Sequence, residues 1–127
     1  MIEYVFDSSA ALADIHGEPG GGAARAVRAS ACISVVNASE VIAKLIEFGA
    51  TPDQAQDLFE RYGCEVIDAG RDRGALAGRL HALTRRASVS LGDRFCLALA
   101  RELGLPVLTS DRRWKELDLG VEVRLIR

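Results

Sequence analysis

Four acidic residues stand where they could share a metal ion, although they are far apart in the chain. Asp7 ends the apolar run IEYVF, Glu40 closely follows CISVV, Asp93 lies within SLGDRF, and Asp111 comes two residues after LPVLT. Carboxylate oxygens are the ligands that hard cations such as Mg²⁺ and Mn²⁺ prefer. A cation bound there would activate a water for hydrolysis of a phosphodiester. Whether this chemistry is available depends on the elements that carry the four acids.

Five apolar runs predict short β-strands, over residues 2–6, 32–36, 65–67, 105–109 and 121–126. The runs do not alternate with polar residues, which is typical of strands in a parallel sheet covered on both faces. Helical segments separate the strands, as in α/β proteins. We therefore expect an α/β three-layer sandwich with a central parallel sheet of about five strands, forming a single domain over residues 1–127.

Helix signals fill the segments between the strands. NASEVIAKLIEFG predicts a helix that is capped by Asn37 or Ser39 and ended by Gly49. The segment GEPGGG at residues 17–22 predicts a flexible connection, because it lacks the Gly-Lys-Ser/Thr ending of a phosphate-binding loop. Further helices are predicted over residues 10–15, 23–29, 52–62, 70–84 and 90–103.

The predicted elements bring the four acids to one edge of the sheet. Open parallel sheets bind ligands beyond the carboxyl ends of their strands. Asp7 and Asp111 follow the first and fourth strands, Glu40 is expected in the first turn after the second strand, and Asp93 opens the helix that leads back to the fourth. Carboxylates held close together repel one another unless a cation lies between them. We therefore expect Mg²⁺ or Mn²⁺ at this edge.

Other interpretations of these acids remain open. Singly, each acid has an ordinary structural role as a helix cap, a first-turn acid or a turn former. A receiver-like signalling module would use Asp68, after the third strand, as phosphoacceptor, but the chain ends in LIR without the lysine expected there. A phosphohydrolase of the haloacid dehalogenase type would use Asp7 as nucleophile, but Ser9 stands where its second acid belongs.

Several motifs together resemble one family. VFDSSAAL, NASEV, SLGDRFCLALA, LPVLTSDRRW and GVEVRLIR are similar, in this order, to the motifs of PIN-domain ribonucleases, specifically the VapC toxins of bacterial toxin–antitoxin pairs. The resemblance covers nearly the whole chain. It implies a PIN-like sheet with strand order 3-2-1-4-5.

The resemblance also implies the site and its chemistry. It assigns Asp7, Glu40, Asp93 and Asp111 as the metal-binding and catalytic acids, with Thr109 as the hydroxyl of a T-x-D motif and Ser8 in a supporting role. The implied activity is Mg²⁺- or Mn²⁺-dependent endoribonuclease cleavage of RNA, leaving a 5′-phosphate and a 3′-hydroxyl. The implied partners are RNA, a VapB-type antitoxin and a second copy of the chain in a homodimer.

The charge pattern is compatible with an RNA substrate despite a net charge of −2. All but two of the basic residues are Arg, whose guanidinium group binds phosphate better than Lys does. Arg94 and Arg112 are the expected RNA contacts, because they adjoin site acids in the sequence. His16 and His81 are expected in surface or packing roles, since neither is placed to form a paired acid and base.

The remaining composition indicates an ordinary intracellular domain. Cys32, Cys64 and Cys96 lie in apolar stretches far apart, which predicts reduced thiols in the core. No apolar run is long enough to span a membrane, and Glu3 stands where a signal peptide would carry basic residues. We therefore expect a cytoplasmic protein with no membrane association.

Overall fold

The structure is a computed structural model that describes all 127 residues. Its centre is a five-stranded sheet in the order β3-β2-β1-β4-β5. All neighbouring strands are parallel, with Val5 opposite Cys32 on one side and Val107 on the other. The strands are β1 (Tyr4–Phe6), β2 (Ala31–Ser34), β3 (Glu65–Ile67), β4 (Val107–Thr109) and β5 (Val123–Leu125). The expected parallel α/β sheet and its strand order are thus confirmed, and the order differs from the 2-1-3-4-5 of flavodoxin-like receiver domains.

Seven α-helices cover the sheet: α1 (Ser8–His16), α2 (Gly21–Val27), α3 (Val35–Glu47), α4 (Pro52–Arg61), α5 (Arg71–Arg79), α6 (His81–Thr84) and α7 (Leu91–Leu103). Two short 3₁₀ helices, Arg28–Ser30 and Arg112–Glu116, complete the chain. The predicted helix over residues 70–84 is broken at Leu80 into α5 and α6. None of the helices combines the length and the apolar character needed to cross a lipid bilayer.

The sheet separates two hydrophobic cores, which explains why its strands are apolar throughout. In β1, Phe6 packs with α1 to α4, whereas Val5 packs with α5 and α7. Successive side chains of a strand point to opposite faces. In β2, Ile33 lies in the same core as Phe6, and Cys32 lies in the same core as Val5. All three cysteines are free thiols, of which Cys32 and Cys96 are buried and Cys64 is half-buried.

The second strand ends earlier than the sequence indicates. The structure ends β2 at Ser34, whose side chain caps α3 by accepting a hydrogen bond from the Val36 N–H at 3.3 Å. The prediction of Asn37 or Ser39 as the cap is therefore wrong. The β-branched valines of this segment have high strand propensity, but here they form the first turn of α3. As a consequence Glu40 lies in the second turn of α3, not in the first.

The glycine-rich segment is a close-packing element and not a flexible connection. The structure begins α2 at Gly21, inside the predicted loop. A Cβ atom built on Gly21 would lie 2.3 Å from the backbone oxygen of Ala13, and one on Gly20 would lie 2.3 Å from that of Ile126. Any larger residue would push α2 away from α1 and from the end of the chain. The glycines thus allow backbone contact instead of mobility.

A buried carboxylate that the sequence analysis missed ties three elements together. Asp14 of α1 is 3% exposed. It accepts hydrogen bonds from Arg25 Nε at 2.9 Å, Arg28 Nη1 at 3.3 Å and Tyr62 Oη at 2.8 Å. Burial, together with the bond to Asp14, raises the pKa of the Tyr62 hydroxyl far above its ordinary value. Because a buried charge is tolerated only when it is paired, this cluster fixes α1 against α2 and the end of α4.

Candidate metal-binding site

Asp7 is the centre of the candidate site. It follows β1 directly and is only 4% exposed. It occupies the position before α1, yet its side chain makes no capping bond to the helix. Instead, its Oδ2 accepts hydrogen bonds from Ser9 Oγ at 2.7 Å and Thr109 Oγ1 at 2.9 Å. The interpretation of Asp7 as a simple helix cap is therefore wrong.

Backbone groups fix the direction of these two hydroxyl bonds. Ser9 Oγ accepts from the Ser110 N–H at 3.0 Å, and Thr109 Oγ1 accepts from the Asp111 N–H at 3.1 Å. Each hydroxyl has a single proton, and here that proton is donated to Asp7. The turn after β4 is thereby joined to Asp7, and Oδ2 of Asp7 is fully occupied by protein donors.

The second oxygen of Asp7 has no partner. Oδ1 is buried and makes no hydrogen bond. Burial, helped by the charges of Asp93 and Glu40, raises the pKa of Asp7 to about 6 against the opposing bonds from Ser9 and Thr109. A buried, unpaired carboxylate oxygen near two other acids is unfavourable by itself. A hard divalent cation would both pair this oxygen and remove the repulsion, so the residues fit such an ion.

Glu40 is held by contacts from three helices. Its Oε1 accepts from Ser8 Oγ at 3.0 Å and from Asn37 Nδ2 at 2.7 Å. Asn37 is fully buried, and its Nδ2 also donates to the Gly92 carbonyl at 3.0 Å. A Cβ on Gly92 would lie 2.3 Å from Glu40 Oε2. The start of α7 therefore packs directly on Glu40, and Glu40 lies within Coulombic range of Asp7.

Asp93 combines a structural role with its place in the site. Its Oδ2 accepts from the Ser90 N–H at 3.0 Å, while Ser90 Oγ accepts from the Asp93 N–H at 3.1 Å. This reciprocal capping box starts α7. Oδ1 of Asp93 takes no part in the capping box. The interpretation of Asp93 as a capping residue is thus correct, but the cap uses only one of its oxygens.

Asp111 is engaged by a neighbouring arginine. Its Oδ1 accepts from the backbone N–H and the Nε of Arg113, both at 3.0 Å, and its Oδ2 accepts from Nη2 of Arg113 at 2.7 Å. These bonds lower the pKa of Asp111. Asp93 and Glu40 act on Asp7 through their charges, whereas the carboxylate of Asp111 pairs with Arg113. Its charge is thus balanced by Arg113 in this arrangement.

The four acids do not form a closed set of ligands. No group of three or more Asp, Glu, His or Cys side chains in the structure is arranged to hold a metal ion. The charges of Glu40 and Asp93 act on Asp7, while Asp111 is turned to Arg113. Coordination of one ion by all four would require Asp111 to exchange its arginine for the metal.

The two arginines expected to contact RNA differ in environment. Arg94 is half-buried, with Nη1 at 2.8 Å from His81 Nδ1 and with Nε buried and unpaired. Arg112 is exposed. His16 lies at the end of α1, where its ring is 4.7 Å from that of Phe48, in the expected packing role.

Sequence reasoning missed three residues of the site: Ser9, Asn37 and Gly92. A signal for Asn37 was present, because residues three apart on a helix share a face, and Asn37 precedes Glu40 by three positions. Because Asn37 was predicted to cap the helix, its position on the same helix face as Glu40 was not recognised. The contacts of Ser9 and Gly92 join segments that are 101 and 55 residues apart, so no local pattern indicates them.

The fold and this arrangement of acids define a class of protein. The family model of the PIN domain, a nuclease domain, matches residues 4–119. The chain belongs to the PIN-domain family, so the receiver and dehalogenase interpretations are set aside. No curated protein sequence matches the chain.

Solved structures share this fold at low sequence identity. A chain in the crystal structure of DNA-bound VapBC from Salmonella typhimurium is 19% identical, with a TM-score of 0.78 and 100% of both chains covered. A toxin–antitoxin complex from Klebsiella pneumoniae matches with 18% identity, a TM-score of 0.74 and 98% of each chain covered. VapBC-5 from Mycobacterium tuberculosis matches with 23% identity, a TM-score of 0.61, and 97% of this chain and 96% of that chain covered.

Proposed function

We propose that this protein is a Mg²⁺- or Mn²⁺-dependent endoribonuclease and the toxin of a VapBC-type toxin–antitoxin pair. Membership of the PIN-domain family supports nuclease activity. Similarity to chains of VapBC complexes supports the toxin role and a VapB-type antitoxin as partner. A homodimer and a cytoplasmic location are part of the same proposal.

The observation that carries the metal dependence is the buried, unpaired Oδ1 of Asp7. Ser9 and Thr109 hold the other oxygen of Asp7, so Oδ1 is the atom left for a cation. Asn37 and Ser8 hold Oε1 of Glu40 in the same way. The protein thus anchors one oxygen of Asp7 and one of Glu40, and leaves the other oxygen of each without a hydrogen-bond donor.

Asp7, Glu40, Asp93 and Asp111 would hold the ion. When bound, it supplies an activated water and stabilises the charge that develops on the phosphate during hydrolysis. Asn37 and Gly92 keep Glu40 beside the start of α7. Arg113 must release Asp111 for that carboxylate to take part, which would free its guanidinium group for a phosphate of the substrate.

Cleavage of single-stranded RNA by the purified protein tests the proposal. We expect cutting with Mg²⁺ that leaves 5′-phosphate ends, loss of cutting with a chelator, and loss of cutting in Asp7→Asn and Asp93→Asn. Asp57→Asn is the matched control, because Asp57 is an exposed helix residue paired with Arg61. Undiminished cutting by folded Asp7→Asn, or cutting in excess chelator, would contradict the proposal.

A further inference from the structure

A basic groove runs along α6. A cavity of about 750 Å³ between α5, α6 and α7 and two smaller ones, of about 380 and 300 Å³, share residues of α6 and the turn after it. Leu83 lines all three, so they lie side by side along α6 and the turn after it. We define the α6 groove by the side chains Arg79, Leu83, Arg85, Arg86, Arg101 and Arg113.

The groove is locally positive in a chain of negative net charge. Only two acids, Asp72 and Glu116, line the three cavities. Outside the groove, six of the nine arginines form ion pairs, for example Arg73 with Glu102 and Arg61 with Asp57. Arg113 is the one groove arginine that forms an ion pair. The other four, Arg79, Arg85, Arg86 and Arg101, form none. The groove thus offers unpaired guanidinium groups to a polyanion.

Two contacts connect the groove with the candidate site. Arg113 lines the second cavity and donates to Asp111 at 2.7 Å. His81 lines the first cavity and lies 2.8 Å from Arg94, the residue after Asp93. A ligand in the groove therefore reaches the edge of the sheet where the acids lie.

We propose that the α6 groove binds the single-stranded RNA next to the cleaved bond, with its arginines on the phosphates; this inference rests on the proposed function. A cluster of carboxylates repels a phosphate backbone, so adjacent cations are needed to bring the substrate in. Guanidinium groups pair with phosphate oxygens through two parallel hydrogen bonds. Leu83 is 61% exposed and offers an apolar contact for an unstacked base of a single strand.

Paired substitutions test this inference. The double variants Arg79→Gln/Arg101→Gln and Arg85→Gln/Arg86→Gln are compared with Arg61→Gln/Arg124→Gln, whose arginines lie on other surfaces. Binding of a labelled single-stranded RNA is measured by fluorescence anisotropy at several salt concentrations, in an Asp7→Asn background that prevents cutting. We expect each groove variant to weaken binding by on the order of tenfold and to reduce the slope of log affinity against log salt by about 0.7 per lost phosphate contact.

Cleavage measurements separate this inference from the proposed function. With Asp7 intact, groove variants should raise the KM for a long RNA but leave the cutting of a trinucleotide unchanged. Equal salt slopes for groove and control variants would overturn the inference while leaving the nuclease proposal standing. A groove variant that keeps its affinity for RNA but no longer binds an acidic peptide would also overturn the inference, because the groove would then be a site for a protein segment. A protein that cuts no RNA with Mg²⁺ would overturn both.

Discussion

Gly92 and Glu40 are in direct contact across the candidate site. A Cβ atom on Gly92 would lie 2.3 Å from Oε2 of Glu40 and 2.6 Å from its Cδ. The close approach lets the first turn of α7, which carries Asp93, lie against the side chain of an acid on α3. The absence of a side chain at position 92 therefore determines the spacing of two of the four acids.

Gly92→Ala is expected to weaken metal binding by displacing Glu40, with a loss of roughly 10- to 100-fold in affinity, as is usual when a ligand's support is disturbed. The measurement is a calorimetric titration with Mn²⁺. The matched control is Gly78→Ala in α5, where a Cβ would meet no atom within 4 Å. That control should stabilise the helix by up to about 1 kcal/mol and bind metal normally. Equal affinity of the two variants would contradict the role of Gly92.

Asn37→Ala is expected to have a similar effect by a different route. The substitution removes the bonds at 2.7 Å to Glu40 and 3.0 Å to the Gly92 carbonyl. Loss of the bond to the buried Gly92 carbonyl and of one of the two bonds to Glu40 Oε1 should reduce stability by about 1–3 kcal/mol and metal affinity by roughly 10-fold or more. Unfolding in urea and Mn²⁺ titration measure the two effects. Ser39→Ala, on the exposed face of the same helix, should change neither quantity.

Asp7→Asn should make the metal-free protein more stable at high pH. The pKa of Asp7 is about 6 in the folded protein against an ordinary value of 3.8. The folded state therefore binds the proton of the Asp7 carboxyl more tightly than the unfolded state does. The contribution of this proton to the free energy of unfolding is complete below pH 3.8 and is lost as pH rises through 6. The difference corresponds to about 3 kcal/mol. Asparagine stays neutral, so we expect the variant to gain about 1–3 kcal/mol at pH 8 and roughly half as much at pH 5.

Urea unfolding in a chelator at both pH values checks this expectation. Asp57→Asn, at an exposed ion pair, serves as the control and should show no such pH dependence. Addition of Mg²⁺ should reverse the order, because the ion stabilises the protein that retains Asp7 and not the variant. Equal stability of the two proteins at pH 8 without metal would show that the ionised Asp7 carboxylate does not destabilise the fold.

Arg113→Gln should lower the Mg²⁺ concentration needed for half-maximal stabilisation. Arg113 and the ion compete for Asp111, and removal of an exposed ion pair is expected to shift that midpoint by roughly two- to fivefold. A thermal shift titration with Mg²⁺ measures it, with Arg112→Gln as the neighbouring control that leaves the pair intact. A higher midpoint in Arg113→Gln than in the control would contradict this competition.

Tyr62→Phe should destabilise the protein without affecting the site. The substitution removes the hydroxyl that donates to buried Asp14 at 2.8 Å. Loss of a hydrogen bond to a buried charge is expected to reduce the free energy of unfolding by about 1.5–3 kcal/mol. Urea unfolding measures the loss, and RNA cleavage per folded molecule should remain unchanged. A variant of normal stability would show that Arg25 and Arg28 suffice to hold Asp14.

Local patterns in the sequence determined much of the fold. The capping boxes at Thr51 and Ser90 and the helix-ending Gly104 stand at the expected helix ends, because caps involve residues only a few positions apart. Strands that are apolar throughout indicated a sheet covered on both faces. The start of α3 was misjudged, since β-branched valines occur in strands and in first helical turns alike, and only the cap at Ser34 distinguishes the two.

The tertiary structure decided which atoms are free to act. The sequence by itself placed Asp7, Glu40, Asp93 and Asp111 at the ends of strands and the starts of helices, which brings acids from four segments toward one edge. It did not determine that Ser9 and Thr109 occupy one oxygen of Asp7 and leave the other unpaired, or that Arg113 holds Asp111. Such partners depend on how helices and strands pack and on side-chain orientations, which local propensities do not encode.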